Sequence, residues 1–159
     1  MNIGRLICGL TAALMTCSSL AFAAPVDDAV ASVTATLDKL NGGDVDAFVT
    51  AHTDGALIVD EFAPFVWTGS GSVQKWLGDY GRDATTRGIS AGRIDYGKPI
   101  QANGHENSAY IVLPTTYRFM QKGQKMAGAG SMTFVMARSG AGWKISSWTY
   151  AGATPTPEG

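Results

Sequence analysis

Cysteine is scarce in this sequence and is confined to its N-terminal segment. Cys8 and Cys17 are the two cysteines of the 159 residues, and both lie within an apolar run from Leu6 to Phe22. Once that run is removed, no disulfide can hold the remaining chain together. The 136 residues after position 23 suffice for one domain with its own hydrophobic core, so we expect the core to provide the stability.

The apolar N-terminal run predicts a signal peptide. Arg5 is the single charge before it, and Ala21-Phe22-Ala23 provides the small residues that a signal peptidase recognises. We expect residues 1–23 to be removed and the protein to be periplasmic or secreted. No basic flank follows the run, which disfavours a membrane anchor and any membrane association after cleavage. A lipid anchor at Cys17 is the alternative, and Thr16 disfavours it because Gly, Ala or Ser usually precedes such a cysteine.

The sequence also lacks a strong charge of one sign, a phosphate loop and a metal-ligand cluster. Its formal net charge is −1 at pH 7 and no basic patch stands out, which argues against a nucleic-acid partner. There is no glycine-rich phosphate loop and no nucleophilic serine elbow. His52 and His105 are the two histidines, and they are too far apart in sequence to give metal-ligand spacing. We therefore expect neither a metal nor a cofactor.

Apolar residues at helical spacing predict three helices before residue 88. The first extends from Asp27 to Leu40 and ends at Asn41-Gly42-Gly43, because glycine tolerates a left-handed cap. Asp44 is the predicted N-cap of a short second helix. The third helix follows Gly69-Ser70-Gly71-Ser72. Its predicted buried face holds Val73, Trp76, Leu77 and Tyr80.

A short apolar strand, Leu57-Ile58-Val59, ends at Asp60, and a period of two from Ile89 onward predicts an antiparallel meander. The later strands are predicted over Ser108–Gln121, Ala127–Arg138 and Trp143–Ala151. An earlier strand is predicted to place Ile94, Tyr96 and Ile100 on one face. The predicted turns are Asn103-Gly104, Lys122-Gly123 and residues 139–142. Residues 153–159 are predicted to form a disordered tail.

Three helices followed by about four antiparallel strands favour an α+β fold for residues 24–152. The economical way to bury their apolar faces is a cone-shaped (α+β barrel) structure, with the three N-terminal helices packed in a strongly bent antiparallel sheet. The strands are apolar or aromatic on both faces. One face is therefore expected to pack on helices, and the other to line a cavity or a homodimer interface.

Several local patterns in this order resemble the nuclear transport factor 2-like superfamily. They are Leu40–Phe48, Gly69 before the third helix, and Gly142-Trp143-Lys144-Ile145 at the start of the last strand. The resemblance spans Val26 to Ala151. The superfamily includes ketosteroid isomerase, scytalone dehydratase and SnoaL-like polyketide cyclases. The resemblance implies a SnoaL-like, ketosteroid isomerase-like exported domain with a central pocket, but it does not imply a particular activity.

Within that resemblance Asp60 falls on the aspartate that serves ketosteroid isomerase as general base. The oxyanion-hole tyrosine of that enzyme corresponds to Thr36, and its protonated aspartate to Phe134 or Val135. Neither position can donate a hydrogen bond as a phenol or a carboxylic acid does, and such donors contribute strongly to catalysis. The sequence therefore argues against steroid isomerisation as such.

The candidate functional residues each allow two interpretations. Asp60 is either a base in an apolar cavity, where desolvation raises its pKa, or a solvent-facing aspartate at a strand end. The candidate ligand-binding residues are Trp67, Tyr117, Trp148 and Tyr150. Aromatic walls with polar tips suit a flat hydrophobic ligand, but such residues also occur in cores and dimer interfaces.

Three functions follow from these observations. The leading hypothesis is an exported SnoaL-like domain that binds a small apolar or aromatic molecule in its pocket, as a homodimer. The second is a lyase or isomerase with Asp60 as general base and a tyrosine such as Tyr117 polarising the substrate. The third is a structural or interaction domain without a ligand. The position of Asp60 relative to Tyr117 and Trp148 is the observation that best separates them.

Overall fold

The computed structural model describes residues 24–158, and the predicted signal peptide lies outside this range. The helices are α1 (Ala24–Asn41), α2 (Val45–Thr50) and α3 (Ser72–Arg87). The strands are β1 (His52–Val59), β2 (Val66–Trp67), β3 (Ile89–Tyr96), β4 (Gln101–His105), β5 (Ser108–Gln121), β6 (Gln124–Ser139), β7 (Gly142–Gly152) and β8 (Thr156–Pro157). None of the helices in the described range is long and apolar enough to span a membrane.

Residues that the sequence provides as caps separate the first two helices. Asp44 is the N-cap of α2, and its Oδ1 accepts a hydrogen bond from the Ala47 N–H at 3.1 Å. Gly43, with φ of 77°, takes the left-handed conformation that turns the chain between α1 and α2. At the end of α1 the Asn41 amide donates to the Ile94 carbonyl (2.8 Å) and accepts from the Ile94 N–H (2.9 Å). These two bonds hold the end of α1 against β3.

His52 connects α2 to β1 inside the core. Its side chain is buried against Phe48, and its Nδ1 lies 2.8 Å from the Phe48 carbonyl oxygen. Burial lowers the pKa of His52 to about 4, and the bond to the carbonyl opposes this shift only in part. The imidazole is therefore neutral at neutral pH and donates from Nδ1. Within residues 24–158 no three His, Cys, Asp or Glu side chains come together as metal ligands.

Eight strands form one strongly curved, open sheet in the order β2-β1-β7-β6-β5-β3. β4 also pairs with β5, and β8 with β6. β1 runs parallel to β7, whereas β5 and β6 form a long antiparallel hairpin around the Lys122-Gly123 turn. This arrangement confirms the α+β class and the bent sheet expected from the sequence.

The helices pack on one face of the sheet. Ile111 and Leu113 of β5 are fully buried on that face, together with Phe134 and Met136 of β6. Tyr110, which points to the opposite face, is 41% exposed. The alternation predicted for the hairpin is therefore confirmed, and the outer face of the sheet is left partly open.

The segment around Asn103-Gly104 differs from the predicted turn. Asn103 pairs with Tyr110 and Gly104 with Ala109, so both residues belong to β4. The chain reverses two residues later, where Glu106 has a φ of 50°. His105 is the last residue of β4 and is exposed. Ile100 lies outside β3 and is 69% exposed, so it does not share a buried face with Ile94 and Tyr96.

The C-terminal segment also differs from the predicted disordered tail. β6 extends beyond the end of β7, which leaves hydrogen-bonding groups on its edge, and the tail pairs with that edge. Thr156 and Pro157 pair with Ala127 and Met126 as β8. The Glu158 N–H donates to the Lys125 carbonyl at 3.0 Å. Composition alone did not indicate this pairing, because it depends on an edge formed by strands earlier in the chain.

Candidate functional site

A cavity of about 360 Å³ lies between the helices and the buried face of the sheet. Its size is within the range of small-molecule sites. Its apolar wall combines all the layers of the fold: Leu37 of α1, Phe48 of α2, Met132 and Phe134 of β6, and Ile145 and Trp148 of β7. The core is therefore hollow where the curved sheet moves away from the helices.

Asp60 follows the last residue of β1 and contributes to the cavity lining. Its Oδ2 accepts a hydrogen bond from Trp76 Nε1 at 2.9 Å, and its Oδ1 accepts one from the Glu61 N–H at 2.8 Å. Burial raises the pKa of this carboxyl, and the two hydrogen bonds oppose the shift because they stabilise the ionised form. An oriented carboxylate in such a place can accept a proton from a bound molecule.

Tyr80 and Tyr117 form a second polar group in the lining. Their hydroxyl oxygens lie 2.7 Å apart, which joins α3 to β5 by a hydrogen bond. Burial and the bond to Tyr80 raise the pKa of Tyr117 well above its ordinary value. Tyr117 is therefore protonated at neutral pH and can act as a hydrogen-bond donor.

The other aromatic candidates take different positions. Trp148 lines the cavity and meets Trp76 edge-on, with ring centroids 5.0 Å apart. Tyr150 also lines the cavity, and burial raises its pKa to about 12. Trp67 is buried outside the lining, and its Nε1 donates to Asp79 Oδ2 at 2.7 Å. Trp67 packs against Phe62, which does line the cavity. Trp67 therefore stabilises the cavity wall without facing the cavity itself.

The positions that correspond to the donors of ketosteroid isomerase do face the cavity. Thr36 and Phe134 are both part of the lining. Phe134 has no donor, and Thr36 Oγ1 donates its single proton to the Ser32 carbonyl at 2.7 Å. Neither side chain therefore offers a bound molecule the hydrogen bond that the resemblance would assign to this part of the cavity.

Sequence reasoning missed Trp76 and Tyr80 as site residues. Both were expected on the buried face of the third helix, and both are largely buried there. Their rings stack at 5.5 Å, as the spacing of four residues on a helix allows. Their polar atoms bind Asp60 and Tyr117, and no pattern within α3 indicated those partners.

Arg118 and His105 lie away from the cavity. Arg118 is on the outer face of the sheet, where its Nε donates to Asp95 Oδ2 at 2.9 Å. It also forms an ion pair with Glu158, which ties the C-terminal segment to β5. His105 is at the exposed end of β4, and neither residue contributes to the lining.

Solved structures with the same architecture are similar at low identity. A ketosteroid isomerase-like protein from Erwinia carotovora atroseptica has a TM-score of 0.66 at 16% identity, over 84% of this chain and 100% of that chain. A nuclear transport factor 2-like superfamily protein from Salmonella enterica has a TM-score of 0.68 at 13% identity, over 84% and 94%. A hexachlorocyclohexane dehydrochlorinase (LinA) type 2 has a TM-score of 0.65 at 12% identity, over 86% and 88%. Similarity at this level supports the fold alone.

The family assignment rests on the sequence. Among curated proteins, none matches this chain significantly. A family model described as a SnoaL-like domain matches residues 30–151, which is most of the chain and includes α3, strands β1 to β6 and Asp60. The chain therefore belongs to the SnoaL-like domain family, within the nuclear transport factor 2-like superfamily.

Proposed function

We propose that the protein binds a small, flat, apolar or aromatic molecule in the cavity. The observation that carries this proposal is a cavity of about 360 Å³ in a place where a protein of this size would otherwise pack its core. Aliphatic and aromatic side chains form most of its wall, with a small number of polar groups at defined positions. This combination is typical of sites that exclude water and orient a ligand through a few hydrogen bonds.

The aromatic residues support a planar ligand. Trp76 and Tyr80 stack almost in parallel, with 18° between their planes, and Trp148 stands at 88° to Trp76. Flat and edge-on aromatic surfaces therefore meet at the cavity, and a planar ring can make offset-stacked or edge contacts with them.

Filling the cavity should weaken binding of a neutral aromatic probe. Ala84 of α3 is half-buried and lines the cavity, so Ala84→Phe places a ring inside it. We expect the affinity for N-phenyl-1-naphthylamine, measured by fluorescence titration, to fall at least about tenfold, which corresponds to roughly 1.4 kcal/mol.

The matched control is Thr86→Phe, which adds the same ring to the exposed side of α3, outside the lining. It should bind the probe like the unsubstituted protein. If the Ala84→Phe variant bound the probe as tightly as the unsubstituted protein, the proposal would be contradicted. If the probe bound neither the unsubstituted protein nor the variants, the result would favour an interaction domain without a ligand.

A second candidate function is proton abstraction by Asp60, as in a lyase or isomerase. The observation that favours it is a carboxyl in the cavity lining, held by Trp76 Nε1 and the Glu61 N–H and raised in pKa by burial. A base with a raised pKa is better matched to a weakly acidic C–H than a solvated aspartate.

Asp60→Asn should remove such an activity and change the fold little, because asparagine has the same size and its amide oxygen can still accept one of the two hydrogen bonds. A suitable substrate is 2-tetralone, a flat apolar ketone with an acidic C–H, and deuterium incorporation from D₂O can be followed by NMR. We expect the unsubstituted protein to accelerate exchange and Asp60→Asn to reduce the acceleration about a hundredfold or more. The rate should rise with pH until Asp60 is ionised, above the ordinary pKa of an aspartic acid.

Glu61→Gln is the matched control, because Glu61 is the adjacent carboxylate in the lining. Its Oε1 accepts the Gly152 N–H, and a glutamine oxygen can do the same. Exchange should persist in this variant. If Asp60→Asn exchanges as fast as the unsubstituted protein, Asp60 is not the base.

We further propose a homodimer formed by the outer face of the sheet. Tyr110 and Val135 are paired neighbours on β5 and β6, and they are 41% and 38% exposed. Val112 and Thr133, the next outward pair in the same register, continue this surface. A face of aromatic and β-branched side chains on a sheet is a self-complementary surface for a second copy.

Val135→Glu should disrupt this association, because it places a charge at the centre of the surface. Sedimentation equilibrium at about 10 μM should give twice the chain mass for the unsubstituted protein and one chain mass for the variant. Ser139→Glu, an exposed position at the end of the same strand, should remain dimeric. A single chain mass for the unsubstituted protein at ten times that concentration would rule out the dimer.

We also propose that residues 1–23 direct export and are then removed. The apolar run with Arg5 before it and Ala21-Phe22-Ala23 after it supports this proposal. N-terminal sequencing of the exported protein should begin at Ala24, and Ala23→Leu should block processing. A processed form that begins at Cys17 would instead identify a lipid anchor.

A further inference from the structure

We propose that the Tyr80–Tyr117 hydroxyl pair is a subsite for a neutral carbonyl oxygen, so that the ligand is a flat apolar molecule with a ketone-type group. This inference rests on the proposed binding function and specifies its ligand class. The inference depends on three features of the described residues. One proton of the hydroxyl pair is not used within the pair, Gly92 leaves space for the two hydroxyls, and the nearby arginines already form ion pairs with aspartates.

The hydroxyl pair has one proton more than its own hydrogen bond uses. Each phenol has one O–H, and the 2.7 Å contact between the two oxygens uses one of the two protons. Within residues 24–158 neither hydroxyl has another protein partner. Whichever phenol donates to the other, the second proton remains available to an acceptor in the cavity. The donor is also strengthened, because a phenol that donates while accepting from another is polarised by it.

Gly92 makes room for the two hydroxyls. A Cβ at this position would lie 2.6 Å from Tyr80 Oη and 2.9 Å from Tyr117 Oη, which is too close for either contact. Gly92 also lies in an irregular part of β3, where the pairing with β5 shifts between Ser90 and Arg93 and Ala91 has a φ of 52°. This bulge brings a glycine backbone next to both phenols, and bulges commonly shape the edges of functional sites.

The charges around the pair favour a neutral oxygen over an anion. Arg87 and Arg93 both line the cavity. Arg87 forms an ion pair with Asp83 at 3.1 Å, and Arg93 forms one with Asp95 at 2.6 Å. An incoming carboxylate would have to compete with these carboxylates, whereas a carbonyl oxygen needs only the hydroxyl proton.

The subsite can be tested with two probes of similar shape, 2-acetylnaphthalene and 2-isopropylnaphthalene. The two molecules differ chiefly by the carbonyl oxygen. We expect the unsubstituted protein to bind the ketone about fivefold more tightly, as one net hydrogen bond of roughly 1 kcal/mol gives. The infrared carbonyl stretch of the bound ketone should shift to lower frequency than in hexane, because a phenol proton donates to it.

The decisive variant is Tyr80→Phe combined with Tyr117→Phe, since either phenol alone keeps a proton. The double variant retains both rings, including the contact of residue 117 with Phe119 at 4.8 Å. It should bind the two probes equally, with the affinity for the hydrocarbon unchanged within about twofold and the infrared shift lost.

Several results would overturn the subsite. One is a preference for the ketone that survives in the double variant. Another is an equal loss of affinity for both probes in the double variant, which would mean that the bond between α3 and β5 is merely structural. A third is the absence of a shift of the carbonyl stretch in the unsubstituted protein. If the hydrocarbon binds without a ketone preference, only the subsite is wrong. If neither probe binds the unsubstituted protein, the proposed binding function fails together with it.

Discussion

The register of the β5–β6 hairpin is the constraint on which the rest of the structure depends. The Lys122-Gly123 turn sets the pairing from Gln121↔Gln124 to Ser108↔Ala137. Side chains alternate between the two faces of a strand, so a slip by one residue would transfer Ile111 and Leu113 to the outside. The same slip would remove Tyr117 from the cavity and bring the outward Arg118 into it. One turn thus determines the core, the cavity wall and the outer face together.

The curvature of the sheet follows from how its other strands join this hairpin. β7 pairs with β6 and, on its other edge, with β1 in parallel, so β1 and Asp60 are brought to the concave side. Register shifts in the β1–β7 and β3–β5 pairings bend the sheet further. The helices span this concave surface but do not fill it. The cavity is therefore a consequence of the sheet geometry, and its lining is drawn from residues that would otherwise be ordinary core.

Local patterns predicted the elements well, and long-range pairing explains what they did not predict. The cap at Asp44 and the alternation along Ser108–Gln121 depend on neighbouring residues, and the structure confirms both. The strand identity of Asn103-Gly104 depends on pairing with β5, which outweighs the turn preference of that dipeptide. Asp60 was found because a carboxylate follows an apolar strand at the place where the family resemblance puts a general base. Trp76 and Tyr80 carry the pattern of core residues, and only their partners across the fold distinguish them.

Asp60 and His52 show how the same burial acts in opposite directions on two titratable groups. Burial lowers the pKa of His52 from 6.5 to about 4. The unfolded chain therefore binds a proton at this residue more readily than the folded state does, and the folded state loses stability as the pH falls through that interval. Burial raises the pKa of Asp60, so the folded state holds its proton more tightly than the unfolded chain and loses stability as Asp60 ionises with rising pH.

His52 has a carbonyl partner in the core and does not contribute to the cavity lining, so packing accounts for its position. Asp60 lies where ionisation weakens the fold, and Trp76 and the Glu61 N–H offset only part of that effect. A carboxyl kept at such a position, with two donors aimed at its ionised form, is better explained by a role in the cavity than by stability.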